Sequence, residues 1–283
     1  MKTILIATDL SARSDRALDR ALMLSRERDA HLVVLYVVDG GPSQEAIKRR
    51  QVEAAEAIGA YLEARGGEPK PDIRITVGTP DREILRCAAE IGADLIVLGA
   101  HRVAPEDDTF RDSTAWNVLR QSDPPVLLVK DAALKPYRRA TVGFDFSRHA
   151  EAALRLAFRF RPEEVAVVHA YHVPYEGFLY GSDTHGDYRE RCQENLSAAV
   201  QAVMPSVRCQ FPVAVEPQCL LSHGETLGSL WQECQRMRTD LLVIGTHGRT
   251  GLAHAVFGSV AEFMLRNPPC DVVAVRPPAG AAS

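Results

Sequence analysis

The chain has 283 residues, of which 46% are hydrophobic and 25% are charged, close to the average composition of soluble globular proteins. This composition excludes intrinsic disorder and collagen-like repeats, and the apolar runs are far shorter than the ~20 residues that a membrane span requires. The formal net charge is −4 and neither half of the chain is basic, so the charge gives no reason to expect a nucleic-acid partner.

The first half of the chain alternates between strand and helix patterns. Its near-continuous apolar runs are typical of parallel strands that are covered on both faces, and helical periodicity fills the intervals between them. The predicted strands are residues 3–8, 31–38, 72–77, 95–98 and 126–129. Asp9 and Arg13 interrupt the first run before the apolar core of a signal peptide forms, so we expect a cytoplasmic protein. The alternation predicts an open, doubly wound α/β sheet.

The second half of the chain repeats the first. Residues 93–101 match residues 239–247 at an offset of 146 positions. Near the start of each copy, residues 6–11 match residues 142–147 at an offset of 136 positions. The change in offset predicts an insertion in the second copy, around residues 175–187.

The repeat predicts two homologous domains, residues 1–135 and 136–283. Each is expected to form a five-stranded parallel sheet with the strand order 3-2-1-4-5. The last strands of the two copies, residues 126–129 and 272–275, are short and apolar, and both are edge strands in that order. Because an exposed apolar edge favours aggregation, we predict that the copies pair these strands within one chain, as an intramolecular pseudo-dimer. The sequence leaves open whether the chain forms a further homodimer.

The pattern G-x2-G-x9-G-S follows the fourth predicted strand of the second copy. It consists of Gly245, Gly248, Gly258 and Ser259. Glycines let the backbone approach an anion closely, and the free N–H groups at the start of a helix favour negative charge. Asp145 ends the first strand of the same copy, where its carboxylate can accept hydrogen bonds from ribose hydroxyls. Since ligands bind at the carboxyl ends of such strands, these residues together predict a nucleotide site.

This pattern resembles the ATP-binding branch of the universal stress protein family, and the resemblance extends over the whole chain as a tandem pair of domains. Residues 247–253, followed by residues 258–262, are close to the family's signature. The resemblance implies that the second copy binds ATP in a stress response, with a nucleotide-dependent signal to a protein partner. The residues that it assigns to the nucleotide are Gly143, Phe144, Asp145, Ala170, Ile244, Gly245, Gly248, Gly258, Ser259 and Val260. Ala170 stands where the family usually has a larger aliphatic residue against adenine.

The first copy departs from the pattern. It retains Asp9 and Gly99, but Arg102 stands at the position of the second glycine and Asp112 at that of the third. Ser113 is kept at the position of the serine. A side chain crowds a backbone cradle, and a carboxylate repels phosphate in a partly desolvated cleft. We therefore predict that the first domain has a degenerate nucleotide loop, which is empty or filled by an ion pair between Arg102 and Asp112.

The second copy contains no lysine, because all lysines of the chain lie in the first half. It has no Walker-type loop, so Arg249 and a bound Mg²⁺ are the candidate cations for the triphosphate. No residue is marked as a general base, and His247 is expected to pack within its loop. The sequence therefore favours ATP binding over turnover, and a slow ATPase or nucleotidyl transferase is the alternative from the enzyme class.

Histidines give a second, weaker set of candidates. His172 and His223 fall at the carboxyl ends of two neighbouring predicted strands of the second copy. With His185 and Cys219 they offer the imidazole and thiolate ligands that suit Zn²⁺, although no spacing matches a zinc signature. A zinc-binding stress scaffold with little nucleotide affinity is the third hypothesis, and scattered structural histidines are its alternative.

Overall fold

The computed structural model describes residues 1–41, 43–66, 70–100, 113–171, 182–212, 214–247 and 257–277, and within residues 182–187 it describes the backbone alone. The chain divides into two compact units, Met1–Pro136 and Tyr137–Ser283. Each unit is a doubly wound α/β domain, so the predicted fold class is confirmed.

The first unit has a five-stranded parallel sheet in the order β3-β2-β1-β4-β5. Its strands are β1 (Thr3–Thr8), β2 (His31–Val38), β3 (Asp72–Val77), β4 (Leu95–Gly99) and β5 (Val126–Val129). The helices that connect them are α1 (Ala12–Arg28), α2 (Gln44–Arg65), α3 (Pro80–Ile91) and α4 (Thr114–Gln121). The predicted order 3-2-1-4-5 is therefore confirmed for this unit.

The second unit repeats this arrangement in the order β8-β7-β6-β9-β10. Its strands are β6 (Arg139–Gly143), β7 (Glu164–Tyr171), β8 (Gln218–His223), β9 (Leu241–Gly245) and β10 (Asp271–Val275). Its helices are α5 (Arg148–Ala157), α6 (Ser182–Gln210), α7 (Thr226–Arg236) and α8 (Ser259–Arg266), with a 3₁₀ turn at Phe158–Phe160. The second connecting helix has 29 residues in this unit against 22 in the first, which accounts for part of the insertion.

An aspartate directly precedes the fourth strand in both units, and its carboxylate accepts hydrogen bonds from the backbone at the start of the first strand. The Asp94 carboxylate accepts hydrogen bonds from the backbone N–H groups of Lys2 and Thr3, at 2.5 and 3.1 Å. The Asp240 carboxylate accepts equivalent bonds from Arg138 and Arg139, at 3.1 and 2.9 Å. This shared role explains why the Ala-Asp or Thr-Asp step before strand four recurs in the repeat.

A glycine ends the fourth strand of each unit because a helix backbone passes directly over it. A Cβ atom on Gly245 would lie 2.5 Å from the Cβ atom and 2.7 Å from the carbonyl carbon of His149, at the start of α5. A Cβ atom on Gly99 would lie 3.1 Å from the carbonyl carbon of Arg13 in α1. The contacted atoms are backbone atoms and a Cβ atom, none of which moves in a rotamer change, so a rotamer change cannot relieve the contact. This close approach holds the start of the first helix against the end of the fourth strand.

We expect Gly245→Ala to lower the free energy of unfolding of the second unit by about 1–3 kcal/mol, because overpacking against backbone forces the helix away from the strand. Gly59→Ala is the matched control, since a Cβ atom there meets nothing within 4 Å and the site lies inside α2. That variant should raise stability by about 0.5–1 kcal/mol, the usual gain in a helix interior. Urea unfolding of both variants measures the difference, and equal stability of the two would contradict the contact.

Candidate nucleotide-binding cleft

The second unit contains a cleft of about 360 Å³ at the carboxyl ends of β6, β7 and β9, closed at the sides by the starts of α7 and α8. Nine of the eleven residues proposed from the sequence line it: Gly143, Phe144, Asp145, Ala170, Ile244, Gly245, Gly258, Ser259 and Val260. The other two, Gly248 and Arg249, lie outside the described residues. The fold thus brings together four segments, residues 143–145, 170, 244–245 and 258–260, of which the first and the last are more than 110 positions apart in the sequence.

The turn after β6 fixes the carboxylate of Asp145 in the cleft wall. Asp145 Oδ1 accepts a hydrogen bond from the Ser147 N–H at 3.0 Å, and the Ser147 side chain in turn caps α5 by accepting from the Ala150 N–H at 3.1 Å. Phe146 between them has a φ of +64°, which turns the chain sharply from strand to helix. The first unit has the same turn, with Asp9 bonded to Ser11 and Leu10 at a φ of +60°.

One side of the cleft is apolar and suits a flat ring. Val168, Ala170, Leu230 and Ile244 line it, from β7, α7 and β9. His169 also lines the cleft, and its Nδ1 lies 2.8 Å from the carbonyl oxygen of Phe144. The Phe146 ring packs edge-on against the imidazole, with ring centroids 4.6 Å apart. These contacts hold the imidazole beside the first-strand turn.

Sequence reasoning did not assign the other seven lining residues to the site: Ala150, Val168, His169, Thr226, Leu230, His247 and Ala261. Thr226 and Leu230 belong to α7, and a helix pattern alone does not tell which sheet face the helix covers. The topology was the one signal for these two residues, because in this fold the helix after the third strand, here α7, packs beside the second strand, here β7. His169 could have been predicted from the sequence, because it lies between Val168 and Ala170 at the end of the same strand.

The opposite side of the cleft is the start of α8. Gly258 is the N-cap residue, and no side-chain hydrogen bond caps this helix in the part of the chain that the structure describes. The Gly258 N–H donates to the carbonyl oxygen of Thr246 at 2.9 Å, which ties the helix start to the end of β9. The first-turn N–H groups and the helix dipole therefore face the cleft with partial positive charge, as an anion site requires.

Two histidines meet beside this helix start. The rings of His149 and His247 lie 5.0 Å apart, and His247 stacks on Phe257 with centroids 6.4 Å apart. His247 Nδ1 lies 3.0 Å from the Thr246 hydroxyl. These contacts agree with the packing role expected for His247. Burial, reinforced by the neighbouring His247, lowers the pKa of His149 below its ordinary value of 6.5.

The first unit has a cleft of about 300 Å³ in the corresponding place. The sequence matches Ser113 to Ser259, but the two serines have different roles. Ser113 is the N-cap of α4 and its hydroxyl accepts a hydrogen bond from the Trp116 N–H at 3.2 Å, whereas Ser259 is the first residue of α8. The ion pair expected between Arg102 and Asp112 concerns residues outside the described ranges.

Among the described residues, no group of three or more histidine, cysteine, aspartate or glutamate side chains is placed so that it could hold a metal ion. Cys219 and His223 both belong to β8, where four steps of a strand separate them by about 13 Å, too far apart for one ion. Burial also raises the pKa of the Cys219 thiol, which opposes the thiolate form. His172 and the His185 side chain lie outside the description.

No helix in the described part of the chain combines the length and the apolar character needed to cross a membrane. This finding agrees with the short apolar runs of the sequence.

Comparison with known proteins gives one family for both units. The model of the universal stress protein family matches residues 1–130 and 136–276. The universal stress protein in the QAH/OAS sulfhydrylase 3′ region of Thermus aquaticus is 34% identical over 136 residues, which is 46% of this chain and 98% of that protein. Universal stress protein E of Salmonella typhi is 24% identical over 255 residues, which is 83% of this chain and 76% of that protein.

A solved structure shows the same fold over nearly the full length. A universal stress protein from Archaeoglobus fulgidus DSM 4304 superimposes with a TM-score of 0.69 at 19% identity, covering 97% of this chain and 98% of that chain. The match of the family model to both units confirms the family predicted from the nucleotide motif.

We expect the second unit to lose stability as the pH falls through the ordinary histidine range. The unfolded chain takes up a proton at His149 near pH 6.5, whereas the folded unit, with its lower pKa, takes it up at a lower pH. This contribution is fully present above the unfolded pKa and is lost as the pH falls towards the folded one. Asp145 opposes the shift, and Arg276 and His247 favour it.

His149→Gln removes this titration and should flatten the decline of the unfolding midpoint between about pH 7.5 and 5.5. Thermal unfolding of the wild type and the variant across that range checks the prediction. A decline of equal slope in both chains would show that His149 does not carry it.

Proposed function

We propose that this chain, which belongs to the universal stress protein family, binds one ATP molecule in the cleft of its second unit. The observation that carries the proposal is the meeting of three features in one cleft: the Asp145 carboxylate, an apolar ring pocket and the uncapped start of α8 at Gly258. A ribose, a purine ring and a phosphate chain require these three features respectively.

Each part of the nucleotide has a counterpart in the cleft wall. The adenine ring would lie against Val168, Ala170, Leu230 and Ile244, where burial of apolar area stabilises it. The ribose diol would donate to the Asp145 carboxylate. Ala170 is smaller than Val37, which lines the corresponding place in the first unit, and the whole cleft is larger here, at about 360 Å³ against about 300 Å³.

The triphosphate would lie over the start of α8. The backbone at Gly258, the Ser259 hydroxyl and, from the sequence, Gly248 would hold its oxygens. Arg249 or Mg²⁺ would supply the positive charge that the second copy lacks in lysine. A metal ion held by the phosphates would need no protein cluster of its own, since Mg²⁺ keeps most of its water ligands at nucleotides.

Binding is better supported than turnover. Among the described lining residues, the side chains of the ionisable types that could serve as a general base are Asp145, His169 and His247. Asp145 is assigned to the ribose, and both histidines already contact protein groups, at 2.8 Å and 3.0 Å. We therefore propose that nucleotide occupancy changes the conformation or stability of the chain as a signal to a protein partner, with slow hydrolysis as the alternative. The cytoplasmic location and the pairing of β5 with β10 within one chain also stay predictions.

Gly258→Asp should abolish ATP binding, because it places a carboxylate where the phosphates would lie and imports the residue that the first copy carries. Like-charge repulsion of several kcal/mol predicts a loss of roughly 100-fold or more in affinity. Calorimetric titration of the wild type should give one ATP per chain. Two equivalent sites in the wild type, or unchanged affinity in the variant, would refute the proposal.

Gly228→Asp is the matched control. It makes the same change in α7, at a position where a Cβ atom meets nothing within 4 Å and which does not line the cleft. This variant should bind ATP as the wild type does. Release of phosphate from ATP by the wild type, compared with Gly258→Asp, decides between binding alone and slow hydrolysis.

A further inference from the structure

The cleft of the first unit retains the ring-binding half of the site. It measures about 300 Å³, at the lower end of the ~300–1,000 Å³ that small-molecule sites occupy. Its apolar wall comes from β2, α3 and α4, through Leu35, Val37, Pro80, Ile84 and Ala115. Val37 presents more apolar surface than Ala170 does in the second unit. The described residues therefore form a pocket for a flat, largely apolar ring.

The first unit also retains the carboxylate. Asp9 lines the cleft, and its Oδ1 accepts a hydrogen bond from the Ser11 N–H at 3.0 Å. Burial raises the pKa of Asp9, but hydrogen bonds from Ser11 and Ser14 outweigh it and hold the pKa below 3.8. An ionised carboxylate is an acceptor alone, and a vicinal diol offers two donors to it.

The half of the site that would hold phosphate is altered. The Ser113 hydroxyl accepts the Trp116 N–H at the start of α4, so the protein itself uses a donor that the uncapped α8 leaves for a ligand. Asp39, which follows β2 and lines the cleft, adds a second negative charge, and among the described residues of this lining Arg13 is the one with a positive charge. The two carboxylates and the closed helix start oppose a triphosphate.

We propose that the first unit binds an unphosphorylated nucleoside, with its ring in the apolar pocket and its diol on Asp9. The ligand class follows from three features of this cleft. The apolar wall suits a base, the Asp9 carboxylate suits a diol, and the capped start of α4 does not suit phosphate. The proposal rests on the proposed function in one respect, the use of the first-strand carboxylate as a diol acceptor. One chain would then hold a nucleotide and a nucleoside at separate sites.

The test is a calorimetric titration of the full chain with adenosine, in the presence of saturating ATP to fill the second unit. We expect one adenosine per chain. Asp9→Asn should weaken this binding by about 10- to 100-fold, the usual effect of losing hydrogen bonds to a charged group. The asparagine oxygen can still accept the Ser11 N–H, so the turn should persist, and the unfolding midpoint verifies this.

A second ligand, which lacks both ribose hydroxyls, tests whether the diol contributes to binding. 2′,3′-Dideoxyadenosine should bind the wild type more weakly than adenosine by a similar factor, whereas Asp9→Asn should no longer distinguish the two compounds. Asp72→Asn is the matched control, because Asp72, the first residue of β3, pairs with His31 of β2 and does not line the cleft. That variant should bind adenosine as the wild type does.

Three results would overturn the proposal: no adenosine bound by the ATP-saturated chain, equal losses in Asp9→Asn and Asp72→Asn, or displacement of the adenosine by further ATP. A separate titration with ATP alone tests the proposed function, and the absence of ATP binding there would refute ATP binding by the second unit. In that case adenosine is titrated without ATP, and the effect of Asp9→Asn still reports on the first unit.

Discussion

The close approach of a helix backbone to a strand-ending glycine is the constraint on which both clefts depend. At Gly245 and Gly99 the fourth strand ends directly beneath the start of the helix that follows the first strand. This contact brings the turn carrying Asp145 or Asp9 beside the end of the fourth strand, although about a hundred residues separate them in the sequence. A larger residue at either glycine would separate the carboxylate from the segment that leads to the phosphate side.

The helix residue that contacts the glycine can differ between the units beyond its Cβ atom, because the contact uses only backbone and Cβ atoms. The first unit has Arg13 at this place and the second has His149. The same fold thus places Arg13 in the cleft lining of the first unit, whereas His149, whose pKa is lowered by burial, does not line the cleft of the second. Duplication followed by change at such positions can alter the charge of a site while its walls stay in place.

The clearest difference between the units is a single hydrogen bond at a helix start. Ser113 caps α4 with its own hydroxyl, whereas no side chain in the described ranges caps α8, which begins after Gly258. An N-cap side chain stabilises its helix by satisfying one of the first N–H groups, typically by about 1 kcal/mol. In a nucleotide-binding fold, that stabilisation uses a donor which would otherwise serve phosphate, so helix stability and anion affinity compete at this residue.

The sequence by itself determined the two-domain repeat and the alternation of strands and helices, because both depend on apolar periodicity and on matches at a fixed offset. The order 3-2-1-4-5 was an expectation from the fold class, since periodicity alone does not specify which strands are neighbours. Four residues that line the cleft of the second unit, Asp145, Gly245, Gly258 and Ser259, were predicted from the strand ends and the helix start. The resemblance to the family added five more: Gly143, Phe144, Ala170, Ile244 and Val260. Their role in holding a nucleotide stays a proposal.

The tertiary structure decided the rest. The contribution of α7 through Thr226 and Leu230 depends on which face of the helix meets the sheet, and packing of distant segments sets that rotation. Ser113 and Ser259 are equivalent in sequence, yet one caps a helix and the other begins it, because the two helices start one position apart relative to the repeat. The separation of Cys219 and His223 along a single strand likewise followed from the backbone, since residue types alone do not fix distances. Local pattern specifies elements, whereas only the folded chain specifies which of their side chains and free backbone groups share one cleft.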